Sequence, residues 1–198
     1  KALDRAGLDF VPAVSINFSG LEENTGFVIT KKMVYEMANA VIYGDLLMCL
    51  HNQTEPYEKE AGVSQRLVER FTAMLNDDFA KGESMGPKAI RKKMDEIVSA
   101  FAAVPVYKKD KVRVGIVGEI YVKFAPLGNN NLEAFLLKEN AEPVVPGLLD
   151  FLLYTIDTGI EDYIRYGGKL LKPIITKYLM HVFTGIQKDM IRAIKRAG

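Results

Sequence analysis

The spacing of apolar residues changes several times along this chain, and each change predicts a change of element. Phe10-Val11-Pro12-Ala13-Val14-Ser15-Ile16-Asn17-Phe18 alternates as a half-buried strand does, with Pro12 placing its start near a sheet edge. Ser19-Gly20 reads as a turn that opens a polar loop to Thr30. From there the apolar residues fall three and four apart. Met33, Val34, Met37, Ala38, Val41, Ile42, Leu46 and Cys49 form one face of an amphipathic helix, with Thr30 as its N-cap. Gly44 weakens that helix by about 1 kcal/mol relative to alanine, and the loop around Pro56 ends it. Val63, Leu67, Val68, Phe71, Met74 and Leu75 predict a second helix. Ile90, Met94, Ile97, Val98, Phe101 and Ala102 predict a third, stopping at Pro105. Three helices in succession make a helical layer.

At Lys111 the pattern shifts again. Val112-Arg113-Val114-Gly115-Ile116-Val117-Gly118 is a short β-branched run entering a glycine turn, as buried parallel strands do. Leu132 to Asn140 reads as a helix, with Asn130 three residues before Glu133 in a capping-box-like start. Glu142-Pro143-Val144-Val145-Pro146 resembles a second short strand, which completes a βαβ unit. Leu148 to Tyr154 fits a helix or a buried extended segment equally. The last helix carries a long stripe from Leu170 through Leu179 and Ile186 to Ile194, and Pro173 is tolerated in its first turn. The expected fold is therefore α/β and helix-rich: a parallel-sheet, flavodoxin- or Rossmann-like βαβ unit with a helical layer. The charged stretch Tyr107–Lys111 is the expected sub-boundary. It separates 1–107, a strand plus helical segment, from 108–198, the βαβ unit plus the long C-terminal helix.

Composition narrows the function classes. Among 198 residues, 26 are basic and 25 acidic, for a net charge of +1, so the basic excess of a nucleic-acid or anionic-membrane binder is missing. One cysteine excludes a disulfide framework and any multi-cysteine metal cluster held by this chain alone. No apolar run approaches the roughly 20 residues of a membrane helix. The chain starts at Lys1 without methionine, and no signal peptide is expected in it. It is expected to be a piece of a longer, cytoplasmic polypeptide.

Few residues point to chemistry. Cys49 and His51 lie two apart on a helix and so face different ways. Cys49 belongs to the apolar stripe, where a free cysteine acts as a small hydrophobe, and His181 sits beside the apolar face of the last helix. No metal site is expected from these three. No GxSxG elbow exists, and Ser19 before Gly20 suits a turn or cap, although a hydroxyl at a strand end is also placed to meet substrate. Gly115-Ile116-Val117-Gly118-Glu119-Ile120 matches neither GxGxxG nor GxxxxGK[ST]. Its position is more informative, because ligands of open α/β sheets bind beyond the carboxyl ends of the strands. Gly118, Glu119 and Asn129, Asn130 and Asn131 occupy that end, followed by a helix N-terminus that attracts anions. With Ser19 and Gly20 they are the candidate substrate-binding residues; the plain alternative is that the asparagines cap the helix and Glu119 is solvated.

The run KVRVGIVGEIYVKFAPLGNNNLEAFLLKENAEPVVPGLLDFLLY (Lys111 to Tyr154), with FVPAVSINFSGLE (Phe10 to Glu22) and VIYGDLLMCLHNQTEPYE (Val41 to Glu58), resembles the 2-hydroxyacyl-CoA dehydratase family. It is most similar to the dehydratase-like region of the large CoA-substrate-specific enzyme activases. The resemblance implies a parent that dehydrates or reduces acyl-CoA by radical chemistry, with [4Fe-4S] clusters on cysteines and an ATP-driven activator supplying an electron. It also implies other domains of the parent chain as partners and an acyl-CoA as substrate. This chain departs from a working dehydratase: Cys49 matches no cluster-ligand motif, and the activator's nucleotide signature is missing. No cofactor is expected within the fragment itself, whose role is either that of a middle domain touching substrate or that of a noncatalytic scaffold for clusters held elsewhere.

Overall fold

The computed structural model describes residues 2–8, 10, 11, 30–83, 86–167 and 171–197. The strand expected over Phe10–Phe18 lies outside them apart from Phe10 and Val11, which sit in a turn and a bend, and Ser19 and Gly20 lie outside them altogether. The chain falls into two units, Lys1–Tyr35 and Glu36–Gly198. In the first, a single helical turn α1 (Ala2–Arg5) is closed by the Leu8 amide donating to the Leu3 carbonyl at 2.8 Å.

Helix α2 (Lys31–Thr54) starts as its sequence predicts, with Thr30 Oγ1 accepting the Met33 amide at 3.2 Å. A 3-10 turn at Glu55–Tyr57 follows, carrying Pro56 where its missing N–H costs nothing. Helices α3 (Val63–Lys81) and α4 (Pro87–Ala102) come next. Their buried residues are those of the expected stripes: Phe71 and Leu75 on α3, and Ile90, Met94, Ile97, Val98 and Phe101 on α4. They close on Ile42, Tyr43, Leu46, Leu47 and Leu50 of α2, with Ala193 of the last helix joining the same core.

The expected βαβ unit forms in reduced size. Strand β1 (Arg113–Gly115) pairs in parallel with β2 (Glu142–Val144), in the register Arg113 to Glu142, Val114 to Pro143 and Gly115 to Val144. Between them lie α5 (Ile120–Phe124), α6 (Pro126–Asn129) and α7 (Leu132–Lys138). Among the described residues the sheet has these two strands, a small parallel sheet in a helix-rich unit. One finding corrects the sequence expectation. The β-branched run is not buried throughout: Val112 and Val117 are 73% and 78% exposed while Ile116 is 4%. Val114 and Ile116 turn inward while Arg113, Gly115 and Val117 face out, because a two-stranded ribbon has one covered face and no neighbouring strands to bury the other; Val112 precedes the strand. Ile116, Leu136, Ala141 and Val145 make a second, smaller core, against which Met48 of α2 packs.

The ambiguous segment after Pro146 resolves as helix α8 (Leu148–Tyr166), and the chain ends in α9 (Leu171–Ala197). Ile186, Met190 and Ile194 of α9 pack on the larger core, so the C-terminal helix belongs with the helical layer.

Candidate functional site

From Glu36 onward helix α2 belongs to the larger unit. Gly44, Leu47, Met48, His51 and Asn52 recur at three- and four-residue steps, so one face presents all five. That face borders a cavity of about 300 Å³ completed by Val68 and Thr72 of α3, Lys123 and Phe124 of α5, and Glu133 of α7. A Cβ at Gly44 would meet nothing within 4 Å, so the glycine leaves this wall open.

The polar groups of the cavity wall are mostly engaged. Asn52 Nδ2 donates to Glu133 Oε1 at 3.1 Å, tying α2 to α7 across 81 residues of sequence. His51 Nδ1 is hydrogen-bonded to Ser64 Oγ at 2.9 Å, and its Nε2 faces Glu55 Oε2 at 3.2 Å. Ser64 is fully buried and donates in turn to Glu58 Oε1, whose carboxylate also accepts the Val63 amide at 2.7 Å. The histidine is thereby fixed at the start of α3. Lys123 differs. It is 8% exposed, and its ammonium stands 4.7 Å from the centroid of the Phe124 ring. Among the described residues no carboxylate forms an ion pair with it. Its stem is buried while its nitrogen keeps contact with solvent, and its charge is felt by Asp45.

Beside the cavity, Asp45 crosses from α2 to the start of α8. Its Oδ1 accepts the Leu148 amide at 2.8 Å and its Oδ2 the Leu149 amide at 2.7 Å, so a side chain of one helix caps another. The approach is close enough to require Gly147, where a Cβ would stand 2.5 Å from Asp45 Oδ2. Burial raises the Asp45 pKa, although the two amides and the charge of Lys123 oppose the rise. On the sheet, Glu142 is 6% exposed; it accepts Tyr57 Oη at 2.7 Å and Arg113 Nε at 3.0 Å. Burial first, and then the bond to Glu142, push the Tyr57 phenol up.

The structure spreads the sequence-predicted residues over two local turns. Gly118 adopts φ 151°, a conformation open to glycine, and is exposed. Glu119 is the N-cap of α5, with Oε1 accepting the Val122 amide at 2.8 Å. Asn129 Oδ1 accepts the Leu132 amide at 3.2 Å. The N-cap position of α7 is Asn131, which makes no side-chain cap bond; Asn129 supplies the acceptor instead, where a capping box on Asn130 was expected, and Glu133 turns to Asn52 instead of back to the helix start. Asn130 and Asn131 are left-handed at φ 56° and 54°, which asparagine tolerates. None of these residues lines the cavity just described. Lys123 and Glu133, which do, each lie four residues beyond Glu119 and Asn129. The lone lysine within the apolar stretch Ile120–Phe124 was the one local signal for that site; the meeting of Asn52 with Glu133 had none.

Cys49 is half-buried and accepts Gln53 Nε2 at 3.2 Å. Burial, then the Asp45 charge, push its thiol pKa up, away from the thiolate that metals need. A [4Fe-4S] cluster takes four cysteine thiolates, and the residues present do not fit one held by this chain alone. Among the described residues no group of three or more His, Cys, Asp and Glu is placed to hold a metal ion, and no helix is long and apolar enough to cross a membrane. His181 is exposed on α9. Comparison with family models, with characterised proteins and with solved structures finds no match.

Proposed function

We propose that this chain is the middle domain of a CoA-substrate-specific enzyme activase or 2-hydroxyacyl-CoA dehydratase-like protein, acting there by positioning and interdomain docking. The iron-sulfur and ATP chemistry belongs, on this reading, to other parts of the parent. The family assignment rests on the resemblance of Lys111–Tyr154, Phe10–Glu22 and Val41–Glu58. The observation that favours docking over substrate contact is the use of Glu119 and Asn129 as helix caps. Around the same loops Val117, Tyr121 and Leu127 are 78%, 54% and 86% exposed, an apolar surface suited to a neighbouring domain. The state of Cys49 agrees with clusters held elsewhere.

The parent protein carrying Glu119→Gln or Asn129→Ala provides the test. Each substitution is expected to lower unfolding stability by about 1 kcal/mol, as a lost cap does, and to leave acyl-CoA turnover at low temperature unchanged. Turnover that falls while thermal stability is retained would return these residues to the substrate and overturn the docking reading.

A further inference from the structure

We infer that the corner between α2 and α3 carries a pH-sensitive switch: His51 keeps a proton on Nδ1 in both of its charge states, and a second proton taken up at Nε2 closes a bond to Glu55. This goes beyond the proposed function and does not depend on it.

The inference starts from one hydroxyl. Ser64 Oγ has a single proton and two neighbours that could take it, Glu58 Oε1 and His51 Nδ1. The carboxylate takes it. An ionised carboxylate only accepts, and bonds to it are stronger than those between neutral groups. Its oxygens also hold the Val63 amide at 2.7 Å and the Ser64 amide at 3.3 Å, which fixes Glu58 at the start of α3. Ser64 is fully buried, so its oxygen meets the ring directly. With the hydroxyl proton directed to Glu58, that oxygen accepts, and the 2.9 Å bond is His51 Nδ1–H donating.

A neutral imidazole has one proton for its two nitrogens. Holding it on Nδ1 leaves Nε2 a bare acceptor, 3.2 Å from a carboxylate oxygen of Glu55. Two acceptors face each other there until the ring takes a second proton. Nε2–H then donates to Glu55, and both sides of the ring are bonded. The side chains of His51 and Glu55 are 19% and 35% exposed, so solvent protons reach the ring while the pair stays partly shielded from water. The other charged groups near the ring, Lys123 of α5 and Glu133 of α7, border the same cavity and are opposite in sign. The switch fastens a corner: His51 belongs to α2, Glu55 to the 3-10 turn after it, and Ser64 to α3. Tyr57 of that turn holds Glu142 of β2, so the same corner ties the helical layer to the sheet.

Nitrogen NMR of the isotope-labelled 198-residue chain tests this across about pH 5 to 8, where histidine changes charge. The chain has two histidines, so His181→Gln leaves the His51 ring alone in the spectrum. Nδ1 is expected to bear its proton at every pH, while Nε2 passes from proton-bearing to bare as the pH rises. Ser64→Ala removes the acceptor and should move the neutral ring's proton to Nε2, where Glu55 accepts it. Glu55→Gln offers an amide N–H to the bare nitrogen. The urea midpoint of the unaltered chain should therefore fall relative to that variant between about pH 5 and 8, as the bond to the carboxylate is lost. If Ser64→Ala does not fold, the titration of the unaltered ring decides alone. The inference is overturned by a neutral His51 that carries its proton on Nε2 in the unaltered chain, or by a ring that does not titrate in that range. A midpoint difference that stays flat, or a folded Ser64→Ala whose neutral ring keeps its proton on Nδ1, overturns it too.

Discussion

Asp45 sits in α2 yet serves α8, and its two carboxylate oxygens meet the first two amides of that helix. Leu149 is 3% exposed, so water cannot replace the lost acceptor in a shortened side chain. Asp45→Ala is expected to cost about 2 kcal/mol, the sum of a lost cap and a buried amide left without a partner, read from the urea midpoint. The same residue predicts a pH dependence. Burial raises its pKa above the ordinary 3.8, so the folded chain holds this proton more tightly than the unfolded one does. The group therefore contributes stability below pH 3.8, and that contribution is lost as the pH rises through the folded value. Asp45→Asn has no such proton. The stability of the wild type minus that of Asp45→Asn should fall as pH climbs from 3.8 and then level off; a flat difference would mean that the carboxylate is not desolvated as its burial requires.

At the scale of elements, the short sheet owes much of its hold to one glutamate. The parallel register sets Arg113 opposite Glu142, and the second carboxylate oxygen takes the hydroxyl of Tyr57 from the turn after α2. Arg113 is largely exposed and its pair is weak on that account; the bond from Tyr57 to a buried acceptor matters more. Glu142→Gln removes the negative charge that, after burial, holds the phenol's pKa up. Its Tyr57 is expected to titrate at lower pH than in the wild type, seen as an earlier component in the alkaline absorbance difference. An unchanged titration would mean that burial alone sets the shift. Between α3 and α4, burial works against the Lys93 charge, yet Glu96 and Asp78 together outweigh it and raise its pKa. Their contacts are 3.2 and 3.3 Å, and that stabilisation is lost as pH rises through the lysine's folded pKa.

Across the larger unit, two apolar cores of unequal size meet at α2. The helical core takes in α2, α3, α4 and α9, whereas the second gathers around β1, α7 and β2 and touches α2 through Met48. Leu46 is fully buried in the first, and Leu136 is 8% exposed in the second. Leu46→Ala is expected to cost about 3–5 kcal/mol, at the upper end of large-to-small core substitutions. Leu136→Ala should cost about 2–3 kcal/mol, since water and looser neighbours can fill part of the gap. Denaturant unfolding of both variants checks the order; equal losses would mean that the small core is packed as firmly as the large one.

The local signals in the sequence were sufficient for what depends on the chain's near neighbours. Thr30 as a cap, the apolar stripes of α2, α3 and α4, and a parallel β1–β2 pair joined through a helix all follow from residues within a turn or two of one another, where period and capping chemistry act. Tertiary structure decided the rest. Whether Val112 and Val117 are buried depends on how many strands flank them, which no period states. Leu148 onward became a helix with Asp45 supplied across 103 residues as its cap, and Glu119 and Asn129 were spent on caps close at hand. The cavity draws on four helices, and its polar wall is set only once Asn52 has met Glu133 and His51 has met Ser64. A side chain's type is written in the sequence; which of its bonds are left unmade is fixed only when distant segments have claimed their partners.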